Sequence, residues 1–140
     1  MDMQWFLKRD AFAQLLGIRI VEASPGYAKT AVDITDDLKN GAGIAHGGAI
    51  FSLADLALAV ASNSHGRLAL AVSTSISYVK PGTGKTLYAE AREISLGSKM
   101  GTYAITITND GGMAVAAGQG TVYRKDMPYT KESVEAGEQA

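Results

Sequence analysis

The 140-residue chain contains no cysteine, which excludes disulfides, thiolate nucleophiles and cysteine-ligated metal. Only two histidines are present, His46 and His65. Nine residues from His46 to Asp55 place these groups about half a helical turn out of phase, so they do not make a ligand pair and no metal site is expected. Lys and Arg number 13 against 14 Asp and Glu, a formal net charge of -1, which leaves no basic footprint for nucleic acid. The first residues, MDMQWFLKRDAF, are interrupted by Asp2, Lys8, Arg9 and Asp10, so no signal-peptide apolar core is read there. No uncharged apolar run approaches the roughly 20 residues of a membrane span. The reading is of a cytoplasmic protein.

What the chain does have is 46% hydrophobic residues and enough length for one domain with its own core, since a domain of this size buries roughly 70% of its unfolded surface. The apolar residues concentrate in one place. Between Asn40 and Ser64 the sequence reads NGAGIAHGGAIFSLADLALAVASNS, a glycine-punctuated loop running into an apolar helix. From Gly47 to Ser62 there is no Pro, Lys or Arg, and Asp55 is the sole acid. A helix apolar on every side must be covered on every side, so a lone carboxylate there is costly unless it finds donors or has a function.

Around that helix the pattern changes to strands. Trp5, Phe6, Phe12, Leu15 and Leu16 fall near helical spacing, which predicts one short amphipathic helix over residues 2–16, with Gly17 as its left-handed stop. Residues 17–23 and 27–34 read as two strands joined by Ser24, Pro25 and Gly26. After the central helix come strands over residues 68–79, 84–95, 100–108 and 113–124. The last two are joined by Asn109, Asp110, Gly111 and Gly112, which supply hairpin chemistry. Residues 125–140 read as a polar, loosely patterned extension. The order implies an α+β domain over residues 1–140, with its core at about 12–124. A twisted antiparallel sheet curls around the long helix and covers most of its circumference. Such a sheet keeps open edges, which favours pairing of two copies.

These residues resemble a family. Asn40, His46-Gly47-Gly48, the FSLAD of Phe51 to Asp55, the closing Ala61-Ser62-Asn63-Ser64 and the flanking Leu16-Gly17-Ile18 and Tyr78-Val79-Lys80-Pro81-Gly82 are similar to the PaaI-like hotdog-fold thioesterases. The resemblance spans nearly the whole chain up to Arg124. It implies an acyl-CoA thioester substrate, no cofactor beyond the coenzyme A of that substrate, a homodimer as the minimal active unit and commonly a homotetramer.

Thioester hydrolysis needs an activated water or nucleophile and a donor where the carbonyl oxygen becomes an oxyanion. Asp55 fits the first role, as general base or as nucleophile forming an anhydride; its structural alternative is a buried Asp bonded to neighbouring hydroxyls. Gly47 and Gly48 stand at the helix entrance, where N–H groups lack intrahelical partners, or else they simply make a turn. The resemblance implies that the Gly47 N–H is the oxyanion donor. His46 either polarises the carbonyl or holds the loop, and Asn40 either orients water and substrate or caps the loop. On the following strand, the resemblance places a hydroxyl residue where this chain has Ala71, and Ser73 is the substitute. Gly48, Ser73, Lys80 and Lys99 are the candidate substrate contacts, the lysines for coenzyme A phosphates, against the alternative of solvated strand-end charges. A hydratase or dehydratase on enoyl or hydroxyacyl thioesters, or a non-enzymatic acyl-CoA-binding module, stays open at this level.

Overall fold

Gly17 adopts φ 76° and ends the N-terminal helical segment where its missing side chain permits the left-handed conformation. The computed structural model describes residues 1–139. Upstream of Gly17 the expected single helix is two: α1 (Gln4–Leu7) and α2 (Ala11–Leu16). The charged run Lys8-Arg9-Asp10 breaks it, because Asp10 leaves helical geometry and its carboxylate accepts the Ala13 N–H at 2.9 Å to cap α2.

Six strands follow: β1 (Arg19–Ser24), β2 (Tyr27–Asp33), β3 (Arg67–Tyr78), β4 (Thr86–Leu96), β5 (Met100–Asn109) and β6 (Ala114–Pro128). They form one antiparallel sheet in the order β1-β2-β4-β5-β6-β3. Between β2 and β3 lies α3 (Gly47–Asn63), so the chain crosses the concave face of the sheet and β3 becomes its far edge. All six strands touch α3. This is the α+β hotdog arrangement that the resemblance implies.

The packing is close because the sheet beneath the helix is built from small residues. Ala28, Ala89 and Ala91 are fully buried, and a Cβ at Gly120 would stand 2.5 Å from a methyl of Leu58. Thr30 is buried too, and its hydroxyl donates to the Leu53 carbonyl at 3.1 Å. The far end of α3 is tied by side chains. Asn63 accepts the Ala69 N–H at 2.9 Å and donates to the Ala59 and Ala69 carbonyls, while Ser64 Oγ accepts the Gly26 N–H at 2.8 Å. These bonds fix where β3 begins and explain the polar close of an apolar helix.

The C-terminal extension is ordered, contrary to the loose tail that its polarity predicts. β6 continues to Pro128, and α4 (Lys131–Gln139) follows; Ala140 lies outside the described residues. Long-range packing that no local pattern announces holds it. Tyr129 meets Trp5 and Phe6 edge-on at ring-centroid distances of 5.5 and 6.1 Å, and Glu138 pairs with Arg9. Thr130 and Ser133 exchange side-chain-to-backbone bonds that cap α4.

Candidate active site

The entrance of α3 is held from three sides. The Ala45 N–H donates to the Gly82 carbonyl at 3.0 Å and the His46 N–H to the Leu38 carbonyl at 2.8 Å. His46 is the N-cap: its ring Nδ1 accepts the Gly48 N–H at 2.8 Å, which puts the proton of the neutral ring on Nε2. The His46 carbonyl accepts the N–H groups of Ala49 and Ile50. Of the first N–H groups of α3, Gly47 alone has no partner among the described residues. Tyr78, on β3, donates its hydroxyl to the Gly47 carbonyl at 3.0 Å.

Asn40 serves the loop with one half of its amide. Its Oδ1 accepts the Ala42 and Ile44 N–H groups at 2.9 and 3.3 Å, while its Nδ2 has no partner among the described residues. Asn40, Gly47, Tyr78 and Lys80 line one open cleft of about 370 Å³. His46 and Gly48 border the same helix end, with the Gly48 N–H already spent on the cap.

Asp55 lies two turns further along α3, on the one stripe of the helix that the chain leaves open. Its neighbours on that stripe, Ser52 and Ala59, are half-buried and Asp55 itself is exposed. The helix is therefore covered on most sides rather than all. No protein group hydrogen-bonds the carboxylate among the described residues, so the expected structural alternative of a hydroxyl-bonded Asp is absent there. Although open on one side, the carboxyl is enclosed closely enough that partial desolvation, and then the nearby charge of Asp10, raise its pKa above the ordinary carboxylate value. Two cavities meet at it. One of about 300 Å³ includes Asp10, Phe12, Phe51 and Ser52; the other, of about 240 Å³, includes Phe6, Leu58, Leu70, Ala71 and Tyr129.

Within one chain the candidate residues fall into separate groups. Asn40, His46, Gly47, Gly48 and Lys80 gather at the helix entrance. Asp55 does not join them, because eight residues of helix separate it from Gly47 by about 12 Å. Ser73 is exposed, as are Ser75 and Ser77, while Thr74 and Ile76 turn toward the helix; Ala71, not Ser73, lines the Asp55 cavity. Lys99 sits in the β4–β5 turn, at the opposite end of β5 from the Lys80 cleft. Sequence reasoning did not single out Tyr78, Asp10, Phe6 or Tyr129 as site residues. Tyr78 stood inside the motif that carries the resemblance, whereas the other three come from chain ends whose docking has no local signal.

Comparison with known proteins identifies the family. Residues 42–116 match the family model of the thioesterase superfamily. A candidate esterase of Archaeoglobus fulgidus is 46% identical over 129 residues, covering 90% of this chain and 84% of that relative. The acyl-coenzyme A thioesterase PaaI of Escherichia coli is 39% identical over 127 residues, covering 90% and 91%. The solved structure of the E. coli PaaI protein superposes with a TM-score of 0.87 at 36% identity, over 91% of this chain and 93% of that one. A Streptococcus mutans protein solved bound to acetyl CoA matches with a TM-score of 0.75 at 28% identity, over 80% and 91%. The chain belongs to the thioesterase superfamily, in its PaaI-like hotdog group, and is a thioesterase.

Proposed function

We propose that the protein hydrolyses acyl-CoA thioesters to a free acid and coenzyme A, in a site shared by two subunits. The observation that carries this reading is the pair of groups left unspent among the described residues: the Gly47 N–H at the positive end of α3, and the Asp55 carboxylate, which no donor there satisfies. A substrate carbonyl at Gly47 meets an oriented N–H and the helix dipole, both stabilising an oxyanion. Asp55 is too far along the same helix to reach that carbonyl. The Asp55 that serves it is Asp55 of the partner subunit, brought across when two copies pair at the open β3 edge.

In this reading water attacks the thioester carbon while Asp55 accepts its proton. The tetrahedral oxyanion rests on Gly47, then collapses, breaking the C–S bond. The thiolate leaves with the proton that Asp55 held. Asn40 Nδ2 is free to orient the water or the carbonyl, and His46 acts by fixing Gly48 so that Gly47 is the exposed donor. Lys80, beside Gly47 in the same cleft, is the nearer lysine for a coenzyme A phosphate, and Lys99 reaches a phosphate only from another part of the assembly. The reaction consumes water alone and calls for no cofactor. The E. coli relative named an acyl-coenzyme A thioesterase and the S. mutans structure with acetyl CoA support this substrate class. The homodimer, its further pairing to a homotetramer and a cytoplasmic location belong to the same proposal.

Release of free thiol from a panel of acyl-CoA esters tests the assignment. Asp55→Asn is expected to lose at least about a hundredfold in turnover, the scale of general-base catalysis. Near-wild-type hydrolysis by that variant overturns the reading.

A further inference from the structure

Of the two cavities that meet at Asp55, one suits a hydrophobic group better. The cavity toward α2 holds a second carboxylate, Asp10, and an apolar tail there would strip water from two acids. The other runs along α3 from Asp55 past Leu58 and Ala59 to Ser62 and Asn63, with Leu68, Leu70 and Val122 opposite. Its polar lining is already spent. Ser62 Oγ donates to the Ala59 carbonyl, and Asn63 makes three bonds to Ala59 and Ala69. What such a wall presents is mostly carbon, with the Asp55 carboxylate at its mouth.

The far wall comes from the two ends of the chain. Phe6 from α1 and Tyr129, just past the end of β6, both line it, and they pack edge-on to each other and to Trp5. Tyr129 is held by its N–H on the Gly66 carbonyl at 2.9 Å, and α4 beyond it is latched to the N-terminal segment by Glu138 and Arg9. At about 240 Å³ the cavity exceeds the roughly 150 Å³ that accommodates benzene, so a ring on a short linker, or an aliphatic chain of similar volume, has room.

We infer that Phe6 and Tyr129 form the end wall of the acyl pocket and set the longest acyl group that the enzyme accepts. The inference rests on Asp55 marking the thioester carbon, as proposed above. A short acyl group leaves part of the cavity unfilled, whereas one that overruns it must displace an aromatic cluster tied to both termini. Chain-length selection is thus a property of segments outside the stretch from Asn40 to Ser64.

The test measures kcat/KM across straight-chain and aryl acyl-CoA esters of increasing length. Tyr129→Ala and Phe6→Leu are expected to move the optimum to longer chains, changing the ratio of the next-longer ester to the wild-type optimum by about tenfold or more. Tyr129→Trp is expected to move it the other way, which guards against a variant that merely loosens the fold. An unchanged length profile in all three variants, or an equal loss on every ester, overturns the inference.

A binding readout separates this inference from the hydrolytic reading. Trp5 is the only tryptophan and touches both wall residues. In Asp55→Asn its fluorescence is expected to change on adding an acyl-CoA of the preferred length and to stay constant with free coenzyme A. Equal responses to the two ligands, or no response to either, place the acyl group elsewhere even if hydrolysis is established. A selective response without any wild-type hydrolysis leaves the wall in place and removes the enzyme reading.

Discussion

His46 Nδ1 and the Gly48 N–H are joined at 2.8 Å, and this bond decides which donor of the helix entrance is left for a ligand. On the proposed reading, a ring committed to the cap is a positioning group. His46→Asn keeps a side chain able to cap and is expected to retain most of the activity. His46→Ala is expected to lose about 1 kcal/mol of stability, the usual cost of a lost N-cap, and to raise KM or lower kcat as the loop loosens. Thermal melts and thiol-release kinetics on the two variants check this; an equal collapse of activity in both would give the imidazole itself a chemical role.

Asp55 should betray its environment through pH. With Asp55 as the proposed base, its raised pKa implies that the acid limb of kcat/KM lies above the ordinary aspartate range, because a base works only when ionised. Asp10→Asn removes the neighbouring charge yet preserves the α2 cap, since Asn caps as well as Asp. That limb is then expected to shift to lower pH.

The same residue should cost stability. With its folded pKa above the unfolded one, the contribution of Asp55 is fully present below the unfolded pKa and is lost as pH rises through the folded pKa. Asp55→Asn is expected to melt above the wild type at neutral pH, with the difference closing in acid. A variant that melts lower at neutral pH would mean that the carboxylate is a structural group after all.

At the other end of α3, Glu93 Oε1 takes both His65 Nε2 at 2.7 Å and the hydroxyl of the fully buried Tyr103 at 2.8 Å. Glu93→Ala strands a buried hydroxyl and is expected to cost about 1–3 kcal/mol, while Tyr103→Phe removes the donor and costs less. In the double variant the two losses should not add. Denaturant unfolding of the three variants measures this.

How much of this was legible beforehand follows from how local each signal is. Strand alternation, the Asn109 to Gly112 turn and the apolar run from Gly47 were readable because each is set within a few residues. The break at Lys8 to Asp10 was missed because apolar spacing continued across it, and only the capping carboxylate of Asp10 interrupts the helix. The docking of α4 was unreadable, since Trp5 and Tyr129 are brought together by the whole fold. For the candidate site, the motif put forward Asn40, His46, Gly47 and Asp55 but not the division of labour proposed for them. That division depends on which polar atoms the fold has already spent: Oδ1 but not Nδ2 of Asn40, the N–H of Gly48 but not of Gly47.

The separation of Gly47 from Asp55 along one helix leads to the sharpest expectation. Gly47 is the first residue of α3, its φ is not positive, and His46 before it has φ -64° and ψ 138°, a conformation that proline tolerates in its predecessor. A Cβ at Gly47 would stand 3.4 Å from the Tyr78 ring, an ordinary contact. Gly47→Pro therefore deletes the proposed oxyanion donor with little else disturbed, and it is expected to fall by about 2.7–4 kcal/mol in transition-state stabilisation. Asp55→Asn removes the proposed base. If every site combines Gly47 of one copy with Asp55 of the other, a mixed dimer of the two inactive variants contains one intact site and one doubly defective site. Random reassortment of equal amounts should then restore about a quarter of wild-type activity. Charging the exposed β3 edge with Val72→Asp should leave monomers by sedimentation and abolish that recovery. Mixtures that stay inactive after verified subunit exchange would place both groups of a working site in a single chain, against the helix geometry.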